Sequence, residues 1–313
     1  MQHILFVTVR SETEDDEQKL QPALLKLISG NPAYRIETNE FSGETSVYGV
    51  AEAQLRGLAD LLRSDFDIKA DVSAPQVAYK ETITQPAEAE GRYVMRAGGF
   101  GLFGHAVIRL SPADRGSGYR FESRVTEDIL PDRFVRAVDE GIRDRLGYGV
   151  LGYPVVDVQV ELCGGSFDEK DSSEMTHKIA GASAFRAAEK KAHPIVIEPV
   201  MTVHVLAPPE HAGNVLLDLT LRRGRIISSA SKRAHERIRA SVPLAEILAY
   251  AAWLRAQTNG HGSYSIEFDR YAPAPIPPAD LAGDDPCSHV PAPLRPGPPS
   301  RYSRIQLPEP NEE

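Results

Sequence analysis

The feature that most constrains this chain is an order of apolar patterns that occurs twice. Residues 3–9 (HILFVTV) read as a strand. Acidic residues 12–17 follow, and then Leu20, Ala23, Leu24, Leu27 and Ile28 fall on one helical face, with acids where the positive end of a helix dipole favours them. Pro22 lies inside that pattern, where a proline removes a hydrogen bond and crowds the preceding turn, so the helix start stays open. Strands at 34–38 and 45–48 joined through Ser42-Gly43, a helix carrying Leu55, Leu58 and Leu62, and a strand at 68–72 complete the order βαββαβ. Two helices on one face of a four-stranded antiparallel sheet make a ferredoxin-like arrangement. The order returns as a strand at 198–205, a helix over about 210–221, strands near 225–227 and 237–242, a helix at 244–256 and a strand at 263–268. Even the second helices open alike, GVAEAQLRGLADLL against VPLAEILAYAAWLR.

Between the repeats, residues 75–194 read as several strands, a helix, a strand and a helix. The first helix follows Pro131 and carries Phe134, Val135, Val138, Ile142 and Leu146. A strand at 154–162 leads into CGGSFDEKDSSEMTHK, where Asp171 and Glu174 are spaced as a capping box for the second helix. The stretch GGFGLFGHAVIRL at 98–110 places Gly99, Gly101 and Gly104 at G-x-G-x-x-G spacing. That fingerprint holds a pyrophosphate when a helix follows it, but here β-branched residues follow and RYVMRA precedes, so the glycines read as a loop between two strands.

Half of the 24 prolines follow Tyr271, and a segment of that composition cannot bury enough apolar surface to offset ordering, so a disordered Pro-rich tail is expected over 273–313. The 313 residues, 42% hydrophobic, suffice for two or three compact domains. The 2 cysteines, Cys163 and Cys287, cannot make a disulfide framework, and no apolar run is long enough to span a bilayer or serve as a secretory segment, so no membrane partner and a cytoplasmic location are expected.

No G-x-x-x-x-G-K-[ST], H-E-x-x-H or G-x-S-x-G occurs, and the histidines have no Cys partners at ligand spacing. The expectation is a chain that is not an enzyme and holds no metal or cofactor of its own. Net charge of −9 argues against indiscriminate nucleic-acid binding, yet Arg222, Arg223, Arg225, Lys232, Arg233, Arg237 and Arg239 cluster with Glu236 as the one local acid. Such a face would displace counterions from a phosphate backbone, making these residues candidates for RNA contact; a solvated charged hairpin is the alternative.

Several ordered stretches carry a resemblance: PQVAYKETI at 75–83, RGSGYRFES at 115–123, GYPVVDVQVEL at 152–162 and DSSEMTHKIAGASAF at 171–185, then EPVMTVHV, LRRGRI and VPLAEILAYAAWLRAQTNGHGSYSIEF. From His3 to Tyr271 the chain resembles domains III, IV and V of elongation factor G, the GTPase that drives ribosomal translocation. The resemblance implies an α+β fold: ferredoxin-like domain III over 1–74, a ribosomal protein S5 domain 2-like domain IV over 75–195, and ferredoxin-like domain V over 196–272. Nothing in it corresponds to domains I and II, so GTP and Mg²⁺ would enter only with a G domain on a separate chain or a missing portion.

The resemblance also implies that two loops form the tip of domain IV, side by side, where the family approaches the tRNA–mRNA pair at the A site. Here those positions are Gly99, Phe100, Gly101, Leu102 and Phe103 in the first loop and Ser166, Phe167 and Asp168 in the second. Phe100 and Leu102 stand for the family's usual arginine and glutamine, and Phe167-Asp168 for a usual Tyr-His pair, exchanging a cation and polar donors for apolar groups and a carboxylate. In domain III, Ala51, Ala53 and Gln54 replace residues near the family's interface with its GTPase domain. The reading that follows is a ribosome-binding translation module docking through domain V. Alternatives are the C-terminal portion of a translocating or ribosome-protecting GTPase, or a non-ribosomal scaffold that binds protein through Phe100-Gly-Leu-Phe103 and the tail.

Overall fold

The structure, a computed structural model, describes residues 3–11, 13–38, 45–97, 100–232 and 235–275. The expected Ser42-Gly43 turn and nearly all of the Pro-rich tail lie outside them.

The first repeat contains β1 (Leu5–Ser11), α1 (Glu14–Gly30), β2 (Arg35–Thr38), β3 (Thr45–Gly49), α2 (Glu52–Arg56), α3 (Leu58–Phe66) and β4 (Ala70–Val72). The sheet order is β2-β3-β1-β4, antiparallel throughout. Helix α1 starts at Thr13, whose hydroxyl accepts the Asp16 N–H, and it runs through Pro22 without ending. Pro22 sits on the exposed face, where the carbonyl that its missing N–H leaves free meets water, while Leu20, Ala23 and Leu24 anchor the opposite face.

The middle module has β5 (Gln76–Val77), β6 (Lys80–Ile83), β7 (Ala87–Ala97), β8 (Phe100–Pro112), β9 (Tyr119–Ser123), α4 (Asp132–Leu146), β10 (Val158–Ser166) and α5 (Glu174–Lys191). Only four of these strands make its sheet, in the order β7-β8-β10-β9, with β9 and β10 parallel. Strand β5 instead pairs with β1, and β6 pairs with the start of the next strand, so the chain enters this module through its neighbours' sheets. Helices α4 and α5 pack at backbone contact: a Cβ on Gly141 would lie 2.0 Å from the Lys178 carbonyl oxygen, and one on Gly181 would lie 2.6 Å from that of Val138.

The last module has β11 (Pro194–Ala207), α6 (Pro209–Leu221), β12 (Arg225–Lys232), β13 (His235–Pro243), α7 (Leu244–Ile247), α8 (Tyr250–Gln257) and β14 (Ser263–Pro273). Its order, β12-β13-β11-β14, repeats that of the first module strand for strand. The helix expected over 244–256 is two pieces, parted by Leu248 in extended backbone and Ala249 at φ 58°. The first and last modules share one continuous apolar cluster, running from Leu5, Leu24 and Leu62 to Val203, Ile238 and Leu254. The middle module buries its own, around Ile108, Phe134, Val160 and Phe185.

Candidate nucleic-acid interface

The glycine-rich stretch is a hairpin. Strands β7 and β8 pair to Ala97 opposite Phe100, so no helix follows the glycines; Gly99 lies outside the described residues, and of Phe100 only the backbone is described. The other two glycines have an intramolecular reason. A Cβ on Gly104 would fall 2.2 Å from the Thr176 carbonyl oxygen, and one on Gly101 would fall 1.8 Å from the Asp171 carboxylate. They let the first turn of α5 and the loop before it lie directly on β8, a close approach of protein to protein rather than of backbone to phosphate.

That contact places the two loops together. The Phe103 N–H donates to the Asp171 carbonyl at 2.8 Å, and the Phe103 carbonyl accepts from the Ser172 hydroxyl at 2.9 Å and the Thr176 hydroxyl at 2.7 Å. Ser166 Oγ lies 2.9 Å from His105 Nδ1. The Asp168 carboxylate is exposed but accepts the Lys170 N–H at 2.8 Å and the Asp171 N–H at 3.0 Å, which holds its pKa below the usual range and fixes the turn. The capping box belongs to Ser173 and Thr176 rather than to Asp171 and Glu174. The Ser173 hydroxyl accepts the Thr176 N–H at 3.2 Å, and Thr176 Oγ1 accepts the Ser173 N–H at 3.0 Å. Ser173 has the extended backbone of a cap, whereas Asp171 is turned toward β8.

The Phe167 ring is half-buried, 5.8 Å from that of Phe134. Phe134 in turn stacks at 4.2 Å on His177, a fully buried imidazole whose Nδ1 lies 3.1 Å from the Ser173 carbonyl and whose Nε2 lies 3.3 Å from that of Ser166. Burial pushes the His177 pKa down. The apolar groups that do face outward are Leu102, with Met95 opposite it, and Val94; Arg92 sits over the half-buried Phe103 ring at 5.8 Å. The parts played by Val94 and Met95 were visible only as members of a strand.

The basic cluster divides in two. Arg222 donates from Nε to Asp218 at 2.7 Å and from Nη1 to the Glu246 carbonyl at 2.6 Å, and its guanidinium lies over the Tyr250 and Trp253 rings. Arg223, at φ 56°, forms a fork with Glu198 at 2.7 and 3.0 Å and reaches Glu246 at 2.9 Å. The hydrogen bonds to these carboxylates raise its pKa further, and Glu198 is only 2% exposed. These two arginines are therefore engaged within the chain, Arg222 half-buried and Arg223 still part-exposed.

Arg225, Arg237 and Arg239 are exposed, and among the described residues none of the three is in an ion pair. Strand alternation puts them on the face of the β12-β13-β11-β14 sheet opposite the apolar row of Ile238, Ala240 and Val242. Across the strands one row reads Ser228, Arg239, His204, Ser265, and the next Ala230, Arg237, Leu206, Ser263. A shallow hollow of about 310 Å³ lies over His204, Arg237, Ser263 and Ser265. Glu236 is aimed at the other face, where it accepts from the Ser229 hydroxyl at 2.6 Å and from that of Ser231. On the arginine face the carboxylate nearest in register is Glu267, opposite Thr202. The Lys232 side chain and Arg233 lie outside the described residues.

A mixed α+β chain with two ferredoxin-like modules about an S5-like one, carrying a basic sheet face and a glycine-packed tip, defines the class: the rear modules of a translation factor. Sequence comparison agrees. The family models "Elongation Factor G, domain III", "Elongation factor G, domain IV" and "Elongation factor G C-terminus" match residues 2–74, 75–193 and 195–281 in that order. The chain belongs to the elongation factor G family, of which it carries domains III, IV and V. It is similar, at 38% identity and a TM-score of 0.66, to the solved structure of ttk003000868 from Thermus thermophilus, a match that covers 88% of this chain and 41% of that one. Among the described residues no helix is long and apolar enough to cross a membrane.

Proposed function

We propose that this chain is a ribosome-binding translation module that works without catalysis of its own, docking on rRNA through domain V and presenting the tip of domain IV toward the A site. The observation that carries the reading is the open sheet face with three arginines that, among the described residues, are in no ion pair, beside serine hydroxyls and His204. Guanidinium groups and hydroxyls spaced along a flat, hydrated surface suit phosphodiester oxygens, and each cation that reaches a phosphate releases a condensed counterion. The tip supplies the other half. Its two loops are hydrogen-bonded into one unit, and it turns outward both apolar groups, Val94, Met95 and Leu102, and charged ones, Arg96, Asp168 and Lys170, so it would present a mixed surface to the A site. Partners in this reading are rRNA and the tRNA–mRNA pair, in the cytoplasm.

The test is competition for the A site. Increasing protein is added to ribosomes holding labelled tRNA in that site, and retained tRNA is counted. Displacement that follows occupancy of the ribosome supports the reading; saturating protein that leaves the tRNA in place contradicts it.

The 41% coverage of the Thermus chain is compatible with one further reading, in which the module acts with a GTP- and Mg²⁺-binding domain carried on a missing portion or on a separate polypeptide. Ribosome-stimulated GTP hydrolysis by an added G-domain protein, enhanced by this chain, would support it.

A further inference from the structure

Two carboxylic side chains are buried at the root of domain IV. Glu81 comes from β6, where the chain enters the domain, and Glu189 from the last turn of α5, where it leaves; neither is exposed to solvent. The loop between α4 and β10 closes over both. Glu81 Oε2 accepts the Leu151 N–H at 2.9 Å, Glu189 Oε1 accepts the Val150 N–H at 3.3 Å, and Gly149 is pressed so closely on the two that a Cβ would meet them at 2.5 and 2.6 Å. Each group is left with one oxygen, Glu81 Oε1 and Glu189 Oε2, that is buried and has no hydrogen-bond partner. Two orphaned acceptors on neighbouring buried acids are costly if both groups are charged, and a single proton between them satisfies both.

We infer that Glu81 and Glu189 share one proton between these two oxygens, and that this acid pair is a proton-dependent clasp fastening the 149–151 loop, and with it the root of domain IV, onto the strand that leads into domain V. Glu81 carries the proton and Glu189 accepts it. Arg145 from α4 and Arg186 from α5 are the cations near Glu189 and favour charge there. Around Glu81 the neighbouring strands present Val196 of β11 and Val155, which offer no charge, and the Tyr153 N–H supplies a further donor. Burial, with the neighbouring acid second, pushes the Glu81 pKa up to about 10. Because β6 is hydrogen-bonded to β11 over residues 80–83, the clasp ties the helices of domain IV to the same strand that continues into the domain V sheet.

The sign follows from linkage. The folded chain keeps a proton that the unfolded chain releases near pH 4.5, so the stability that this pair contributes is full below that pH and declines as pH rises toward about 10. A carboxamide at position 81 would donate the same hydrogen bond at every pH. The full chain is therefore compared with Glu81→Gln and Glu189→Gln by infrared spectroscopy in the carboxylic C=O region, by thermal unfolding across pH, and by amide exchange at Val150 and Leu151. The wild type is expected to show a protonated-carboxyl stretch at about pH 8, where ordinary carboxylates are ionised, Glu81→Gln to lack it, and Glu189→Gln, in which Glu81 stays buried, to keep it at a shifted frequency. The Tm of Glu81→Gln is expected to match the wild type in acid and to exceed it increasingly toward alkaline pH, where protection of the 150–151 amides, relative to their intrinsic exchange rates, falls in the wild type alone. A wild type with no such stretch in its folded state overturns the inference, as do parallel Tm profiles. A Tm at neutral pH that falls on chelation would assign the site to a divalent cation and overturn it too.

Discussion

Arginines of the same charge do opposite work in domain V. Arg223 faces a nearly buried carboxylate, and removing it leaves Glu198 charged and unpaired; Arg223→Ala is expected to destabilise the chain by about 3 kcal/mol, the low end for a broken buried pair because the arginine itself is part-exposed. Arg237→Ala should change stability by less than about 0.5 kcal/mol, since the residue is exposed and, among the described residues, is in no ion pair. Urea unfolding of both variants measures the contrast. The sequence showed the cluster but not the division, because Glu198 lies 25 residues before Arg223, on β11, and local spacing carries no record of it. His177 makes a second case at this scale. Burial is the main influence on it, so its imidazole should titrate below the ordinary value of about 6.5 in an NMR titration. The stability contributed by the neutral ring is then full above that pH and is lost as pH falls through the lower folded midpoint, an acid limb that His177→Phe should lack.

At the scale of elements, glycines set how closely α5 approaches its neighbours. Gly104→Ala would drive a methyl group into the helix backbone and should cost about 1–3 kcal/mol, whereas Gly164→Ala, whose nearest neighbour is Val107 at 3.6 Å, should be tolerated. Thermal unfolding of the two variants separates packing from turn chemistry. From the sequence the hairpin was legible, because β-branched residues follow the glycines; why the glycines are there was not, because α5 begins more than 60 residues after them. The interrupted helices tell a similar story. Leu244, Ile247, Tyr250 and Leu254 all reach the core and keep a helix-like spacing, so apolar periodicity continues across a break that only the backbone at Ala249 reveals. Pro22 errs the other way: it left open the start of a helix that runs through it, held by its anchored face.

For the whole molecule, the repeated order of elements was the strongest signal in the sequence, and both repeats fold with the same strand order about a shared apolar cluster. The destinations of β5 and β6 were not legible, since short strands have too few residues to specify a partner and tertiary pairing decides. One sheet face of domain V is left open, with Arg225, Arg237 and Arg239 among serines, His204 and a part-exposed Leu206, and it is the basis of the ribosomal reading. The direct measurement is co-sedimentation with ribosomes over a range of salt, for the wild type and for Arg237→Ala/Arg239→Ala. The account predicts binding that falls steeply with salt and a variant that binds more weakly, with a log–log salt slope shallower by about 1 to 2. Binding that is absent at low salt, or that is the same for both proteins at every salt concentration, would contradict it.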